Sequence, residues 1–513
     1  MSTELGKPQQ LVRALGLVAA VSIIIGNVIG TGVFLKARVM TCNVGAPAWV
    51  LLAWIAAGLL SLAGALTYAE LTAMKPEAGG EYVFLRDAYG RASSFLFGWM
   101  QMFIAKPGSQ AAAGMAFAIG LNDFLDKKLE ETLLTFSIGG IPFEITTLTL
   151  VAIMVILIFT TLNCASVSLS GQIATALTGV KIGLILFVSI GAFVWATGDF
   201  SHFSLLSQNG ACEGVADGVR FGSASYSFVG GFGAAMIGAL WGYDGWNNLT
   251  FVAGEVKDPN RNIPLAIIGS TILIIILYVI ANISYYYVLD PTAVASVSKS
   301  SAVAKVVVAE FFGGNVQAFA TGLAVAIFTT GLMLSSLGTL HTSILSGARV
   351  PYAMAQDGLM FHVLGKLSIT GVPVKALLLQ MVWAMMLAVS GSFDTLTDYV
   401  IFGSWIFYAL VTSSVFVFRR KYPELERPYK AWGYPVVPAI FLVVAGWLLY
   451  ITFSNDLVMI KTALAAEPGI VGLMKGVMKT SSFAGTFLIL LGLPVYYFIS
   501  GKNGRPEKAD NEG

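Results

Sequence analysis

The chain of 513 residues is 56% hydrophobic and only 11% charged, where an ordinary soluble domain carries about 25% charged residues. That composition makes it a polytopic membrane protein, and a formal charge of +2 gives no reason to expect nucleic acid as a partner. The three cysteines (Cys42, Cys164, Cys212) and three histidines (His202, His341, His362) show no metal-ligand spacing, so no metal and no cofactor is expected.

The first ten residues are polar and carry no signal-peptide pattern. Twelve apolar spans follow, at roughly 15–38, 47–74, 92–122, 146–163, 172–197, 230–254, 263–289, 315–347, 373–392, 396–418, 434–454 and 481–500. A bilayer needs about 20 residues per helix, and the fourth and ninth spans are short against that measure. With the N-terminus placed inside, 18 Lys and Arg fall on inner segments and 10 on outer ones. Cytoplasmic loops carry the excess of basic residues, so both termini are expected in the cytoplasm.

The first span contains Ile23-Ile-Ile-Gly-Asn-Val-Ile-Gly-Thr-Gly-Val-Phe34. Gly26, Gly30 and Gly32 within seven positions weaken a helix by roughly 1 kcal/mol each relative to alanine. Two readings stand for this stretch alone: close helix packing of the small-xxx-small type, or a helix broken in mid-membrane that offers bare backbone to a ligand. The sixth span poses the same question. There Gly242 and Gly245 bracket Tyr243 and Asp244, and Trp246, Asn247 and Asn248 follow. A carboxylate in mid-span costs on the order of 3 kcal/mol on insertion scales and usually faces a cavity. The two breaks head successive sets of five spans. Five is odd, so the sets run in opposite senses, which is the pattern of an inverted-repeat transporter with a site at the midplane. The expected units are 1–200 (first repeat), 201–420 (second repeat), 421–500 (helices 11 and 12) and 501–513 (a polar tail).

Further features fall between the breaks. Loop 122–145 is acidic and placed outside, where Cys42 and Cys212 could also meet. Ser300 to Phe312 reads as a short amphipathic helix, and 455–480 as an outer loop with an apolar stretch, Ile470 to Met478, along the interface. His341 reads as a packed, hydrogen-bonded histidine. Lys106 before Pro107 suggests a structural ion pair or a bend. Arg349 and the Met354–Gly358 stretch are placed to pair with 75–91 as an inner gate. The sequons at Asn248 and Asn282 lie within spans, so no glycosylation is expected.

Several motifs resemble a known family. They are Ile-Gly-Thr-Gly-Val-Phe in helix 1, Tyr68-Ala-Glu-Leu71 and Gly79-Gly-Glu-Tyr82 after helix 2, and Tyr243-Asp-Gly-Trp-Asn247 with Glu255 and Pro259-Asn-Arg-Asn-Ile-Pro264 at helix 6. Arg349-Val-Pro-Tyr352 with Asp357-Gly358 follows helix 8, and Arg427-Pro-Tyr-Lys430 with Trp432-Gly-Tyr-Pro435 precedes helix 11. Nearly the whole chain resembles the amino acid–polyamine–organocation superfamily, most closely its L-type amino acid transporter-like branch. The resemblance implies an all-α fold of twelve transmembrane helices, a LeuT-type five-plus-five inverted repeat with two C-terminal helices. It also implies alternating-access transport of amino acids across the plasma (inner) membrane. Eukaryotic members that pair with a glycoprotein subunit use a cysteine between helices 3 and 4. None lies between 122 and 145, so a stand-alone, prokaryote-type member without a disulfide-linked heavy subunit is expected.

The resemblance and the physics of helix ends assign the site together. Where helix 1 restarts, free N–H groups and the positive dipole end make an anion site. The Thr31 hydroxyl and the N–H groups of Thr31 and Gly32 are expected to hold the substrate carboxylate, with Gly30 and Gly32 allowing close approach. Carbonyls of Val28, Trp241 and Asp244 are expected to accept from the ammonium. Trp241 stands where the family places an outer aromatic gate, and Trp246 and Asn247 are expected to line the side-chain subsite, which suits neutral substrates. The Asp244 side chain either caps the second half of helix 6 or accepts a cationic substrate group. Lys181 is placed by the resemblance where sodium-coupled relatives hold sodium, against carbonyls near Gly26 and a hydroxyl such as Ser335 or Ser336. This implies a sodium-independent exchanger, with proton-coupled import as the alternative and a channel or substrate sensor as the reading from another class. No Ser/His/Asp, His-cluster or paired-carboxylate arrangement supports an enzyme.

Overall fold

The computed structural model describes residues 13–502, apart from 126–127, 139–140, 299–300, 316, 391–392, 467, 470–471, 474–475 and 478–479. The apolar stretch at 470–478 falls largely outside the described residues, and the tail from 503 wholly so.

The break in the first span is real. Helix α1 (Leu17–Val28) stops, Ile29 turns extended, and α2 (Gly32–Val44) restarts after Thr31. Gly45 closes α2 in the left-handed conformation (φ 72°), and Pro47 opens α3 (Pro47–Met74) at a position where its missing N–H costs nothing. Helix α4 (Glu81–Tyr89) is short. Helix α5 (Arg91–Met100) runs through a π-helical turn, Gln101–Ala105, into α6 (Lys106–Phe124). Strands β1 (Thr132–Ile138) and β2 (Ile141–Thr146) pair antiparallel, so the acidic loop is a hairpin. The Thr146 and Ser166 side chains cap α7 (Thr147–Ala165) and α8 (Val167–Trp195).

The second break follows the same logic. Helix α9 (Phe228–Tyr243) ends where Asp244 turns extended and Gly245 takes φ +101°. The chain resumes as a 3₁₀ turn, Asn248–Glu255, before α10 (Pro259–Val288). Short helices α11 (Pro291–Ser296) and α12 (Val303–Ala309) follow, and α12 buries Val303, Ala304, Val307 and Val308 at helical spacing. Then come α13 (Phe319–Gly347), α14 (Arg349–Gln356), α15 (Val374–Ser390), α16 (Phe393–Lys421), α17 (Val436–Ala466), α18 (Ser481–Leu490) and α19 (Gly492–Lys502). The expected outer loop from 455 is corrected: α17 stays helical to Ala466.

Nine helices among the described residues are long and apolar enough to cross a membrane, with α15 a shorter apolar one. The nine leave out the third expected span, which runs as α5, a π-helical turn and α6, the sixth, which the second break divides, and the ninth, which is the short α15. Helix α1 packs against α8, α10 and α13. Helix α3 lies along α10, α2 along α9 and α6 along α13. Polar side chains such as Asn27, Lys181 and Ser335 are buried between the helices, while Leu157, Ile276, Val443 and Phe487 are exposed on the outer surface. That inversion relative to a soluble protein suits a lipid surround, which accepts apolar side chains and offers no hydrogen bonds.

Candidate functional site

The two breaks meet. The Gly32 Cα sits so close to the start of the second break that an added Cβ would lie 2.8 Å from the Gly242 Cα and 3.3 Å from the Trp241 Cδ1. The missing Cβ of Gly32 therefore makes room for the backbone of α9, and the same glycine also borders a cavity. Tyr278 of α10 ties the junction. Its hydroxyl lies 3.0 Å from the Val28 carbonyl and 2.8 Å from the Gly242 carbonyl, and its one proton serves one of them at a time.

Around this junction lies a small cavity of about 30 Å³, bounded by Val28, Gly30, Thr31, Gly32, Trp241 and Asp244, with Asn27, Ser109, Ser336 and Thr339. The N–H groups of Thr31 and Gly32 donate to no backbone carbonyl among the described residues, so the restarted helix presents free donors there. Ligand pockets commonly measure about 300–1,000 Å³. A substrate therefore enters only if the walls move. Trp241 lines both this cavity and a vestibule of about 370 Å³ that Lys36, Arg38, Glu213, Trp405 and Asp456 also line. The vestibule lies on the face that carries the Cys42–Cys212 disulfide.

The opposite face is closed by ion pairs. Asp357 accepts from Arg86 at 2.9 and 3.1 Å and from the Tyr82 hydroxyl at 2.8 Å, while Arg91 reaches its backbone oxygen at 2.9 Å. Lys75 and Arg86 both hold Asp87. Burial pushes the Asp87 carboxyl upward, but the hydrogen bonds from Lys75 and Arg86 outweigh it and hold the group below its ordinary 3.8. Arg349 does not join this gate. It forms a buried bidentate pair with Glu255 at 2.8 and 3.1 Å and donates to the Leu345 carbonyl, a geometry that fixes α14 to the end of the second break. This corrects the expected place of Arg349.

Several side chains stand elsewhere than expected. Asp244 caps nothing: its Oδ1 accepts from the Tyr408 hydroxyl at 2.8 Å, and it borders both the cavity and a second chamber of about 20 Å³. Asn247 lines that chamber and donates to Glu81 at 3.0 Å. Trp246 lines neither space. It is buried against Tyr68 and Tyr408, ring centres 4.6 and 5.6 Å away, because Gly245 reverses the chain and turns the indole behind the break. The Trp241 carbonyl receives the Asp244 N–H, and the Val28 carbonyl the Gly30 N–H.

The Lys181 ammonium, fully buried, donates to the Gly26 carbonyl at 2.5 Å and to Thr339 Oγ1 at 2.8 Å. The hydroxyl partner is Thr339, one turn beyond the expected Ser335 and Ser336. Ser335 Oγ lies 3.4 Å from the Ile29 carbonyl, and Ser336 donates to Leu332. Lys106 has no carboxylate partner among the described ion pairs. It donates to Asn248 and Ser346 and sits 4.5 Å from the Phe251 ring centre, a cation–π contact in place of the expected ion pair. His341 is a packed histidine, bonded to Asn163 and to the Ser170 carbonyl. Among the described residues no cluster of His, Cys, Asp or Glu is suited to a metal ion.

The family profile described as amino acid permease matches residues 15–473. The chain belongs to the amino acid permease family. The permease is 30% identical to b(0,+)-type amino acid transporter 1 of Mus musculus over 450 residues, covering 87% of this chain and 84% of the relative. It is 31% identical to the Homo sapiens protein of that name over 446 residues (86% and 83%). It is 28% identical to large neutral amino acids transporter small subunit 2 of Mus musculus over 490 residues (95% and 81%). Membership makes the permease a multi-pass transporter and not an enzyme. Tyr278, Tyr408, Ser109 and Thr339 of the site were not singled out from sequence, because a tyrosine or hydroxyl in an apolar span has no periodic signal that separates it from the core.

Proposed function

We propose that the permease is a sodium-independent amino acid exchanger working by alternating access on a twelve-helix, five-plus-five inverted-repeat fold. The observation that carries this is the closed polar cavity at the junction of two broken helices, with free N–H donors from Thr31 and Gly32 on one side and Asp244 on the other. The substrate carboxylate takes those N–H groups and the Thr31 hydroxyl. The ammonium takes the Val28 carbonyl, where it displaces the Tyr278 hydroxyl toward Gly242, and is shared with the carbonyls of Trp241 and Asp244. Trp241 closes over the substrate from the vestibule side. Neutral substrates fit the apolar walls, and the Asp244 carboxylate extends the range to cationic ones. The names of the relatives, which refer to (0,+) and to large neutral amino acids, agree with both.

Sodium independence rests on Lys181, whose ammonium fills the space between Gly26 and Thr339. The orientation follows from two unrelated facts. The basic residues favour one face as cytoplasmic, and the disulfide lies on the other, where an oxidising compartment would keep it. We place both termini in the cytoplasm and the protein in the plasma (inner) membrane, without a heavy subunit.

The test is uptake of labelled leucine and arginine by purified protein in sealed vesicles. Uptake should require unlabelled amino acid inside and be indifferent to replacing sodium with choline. Saturable uptake that ignores internal substrate would argue for the proton-coupled importer, and non-saturating flux for a channel.

A further inference from the structure

Glu81 is the first residue of α4, and its side chain is fully buried. Its Oε1 accepts from the Tyr68 hydroxyl at 2.6 Å and from Asn247 at 3.0 Å, while its Oε2 has no partner. A buried carboxylate with two neutral donors and one bare oxygen is poorly solvated as an anion. The next residue, Tyr82, holds Asp357 and so belongs to the closed face. On the other side, Asn247 and Asp244 share the Tyr408 hydroxyl at 3.4 and 2.8 Å. Hydrogen bonds thus link Glu81 through Asn247 and the Tyr408 hydroxyl to Asp244 at the cavity, and the backbone alone joins Glu81 to Tyr82 at the closed face. The titratable groups facing Glu81 are Tyr68 of α3, Asp244 at the second break, Tyr408 of α16 and Lys106 of α6. Two carboxylates and one ammonium share this interior, and one added proton makes the set neutral.

We propose that Glu81 is the proton-binding residue of the transport cycle, protonated while α4 is docked on Asp357 and deprotonated when α4 leaves and exposes it to the cytoplasmic face. The proton arrives by way of the cavity and Asp244, forms the O–H of the Glu81 carboxyl, and departs to water on the other face, so one proton crosses with each loaded turn. In exchange it moves in with one substrate and out with the next. In net uptake it is left inside. Burial pushes the Glu81 carboxyl up to about 7, against the opposing hydrogen bonds of Tyr68 and Asn247 and the charge of Lys106. A carboxyl at about 7 where it is buried, against an ordinary 4.5, holds its proton near neutral pH only while water is kept from it. This inference rests on the transporter reading above.

The experiment has two arms. In vesicles preloaded with unlabelled amino acid, exchange of labelled leucine or arginine by the wild type should follow the protonation of Glu81. Its rate should fall about tenfold for each pH unit above 7. Glu81→Gln should still exchange but with a flat pH dependence, and Glu81→Asp should keep the pH dependence with a displaced midpoint. Exchange by the wild type that is indifferent to pH across 7, or a Glu81→Gln variant with the wild-type pH dependence, would overturn the proposal. Failure of the transporter reading looks different: no labelled amino acid moves in any variant. The second arm needs no transport. Infrared difference spectra of the purified wild type across pH 7 should show the C=O stretch of a protonated carboxyl, absent from Glu81→Gln. Its persistence in a folded Glu81→Gln protein would equally overturn the assignment.

Discussion

Gly32→Ala tests the junction of the two breaks most directly. The added methyl would stand 2.8 Å from the Gly242 Cα, 3.3 Å from the Gly242 N and 3.3 Å from the Trp241 Cδ1. Ordinary van der Waals contact begins at 3.4 Å, so the two backbones must part by at least 0.6 Å, the difference between 3.4 and 2.8 Å. Neither side can yield by rotating a side chain, since backbone meets backbone. Overpacking of this kind costs about 1–3 kcal/mol, which is roughly 5- to 150-fold in an equilibrium constant. Because the displaced groups border the cavity, the loss should appear in the Michaelis constant for labelled leucine in vesicles. Thermal stability in detergent should fall in parallel. Gly179→Ala is the control, as nothing lies within 4 Å of its added methyl, and it should match the wild type. A Gly32→Ala protein with wild-type uptake and thermal stability would refute the idea that this glycine exists to let α2 and α9 touch.

Three further outcomes follow. Lys181→Met leaves the Gly26 carbonyl and the Thr339 hydroxyl without their donor, a loss of about 1–3 kcal/mol. Exchange should drop at least tenfold and sodium should not restore it, whereas rescue by sodium alone would show that the site is an ion site in waiting. Asp357→Arg should weaken the closed face by placing a cation beside Arg86, and the swap with Arg86→Glu should recover part of the loss. Additive effects in that double-mutant cycle would mean that the pair contributes nothing to gating. The Asp87 carboxyl is held below 3.8 by Lys75 and Arg86, so its contribution to the closed face is present above that pH and is lost as pH falls through the lower folded value. Thiol labelling of a cysteine placed behind the gate should therefore rise only in that acidic range. Labelling that rises already near neutral pH would shift the cause to another group.

What was legible in the sequence was legible for local reasons. Three glycines in seven residues cannot sustain a helix well, and Gly242 with Gly245 carry the same weakness, so both interruptions could be read without coordinates. Hydropathy marked the apolar elements, and motif order pointed to the permease family. The errors share one cause as well. Trp246, Arg349 and Ser335 were placed by their position along a helix, but the turn at Gly245, the approach of Glu255 and the rotation of α13 decided what each one touches.

Composition and helix-breaking residues thus determined, by themselves, that the chain spans a membrane and where its helices fail, since both are set by the cost of unpaired backbone in lipid. Tertiary structure alone decided what occupies the gap. Gly32 meets the backbone of α9 as well as the cavity, Tyr278 divides one proton between two carbonyls, and Glu81 is bonded to Asn247 across the second break. Such contacts join residues far apart in the chain, as Tyr278 and Val28 are, 250 positions apart. Periodicity along a single helix carries no information about them.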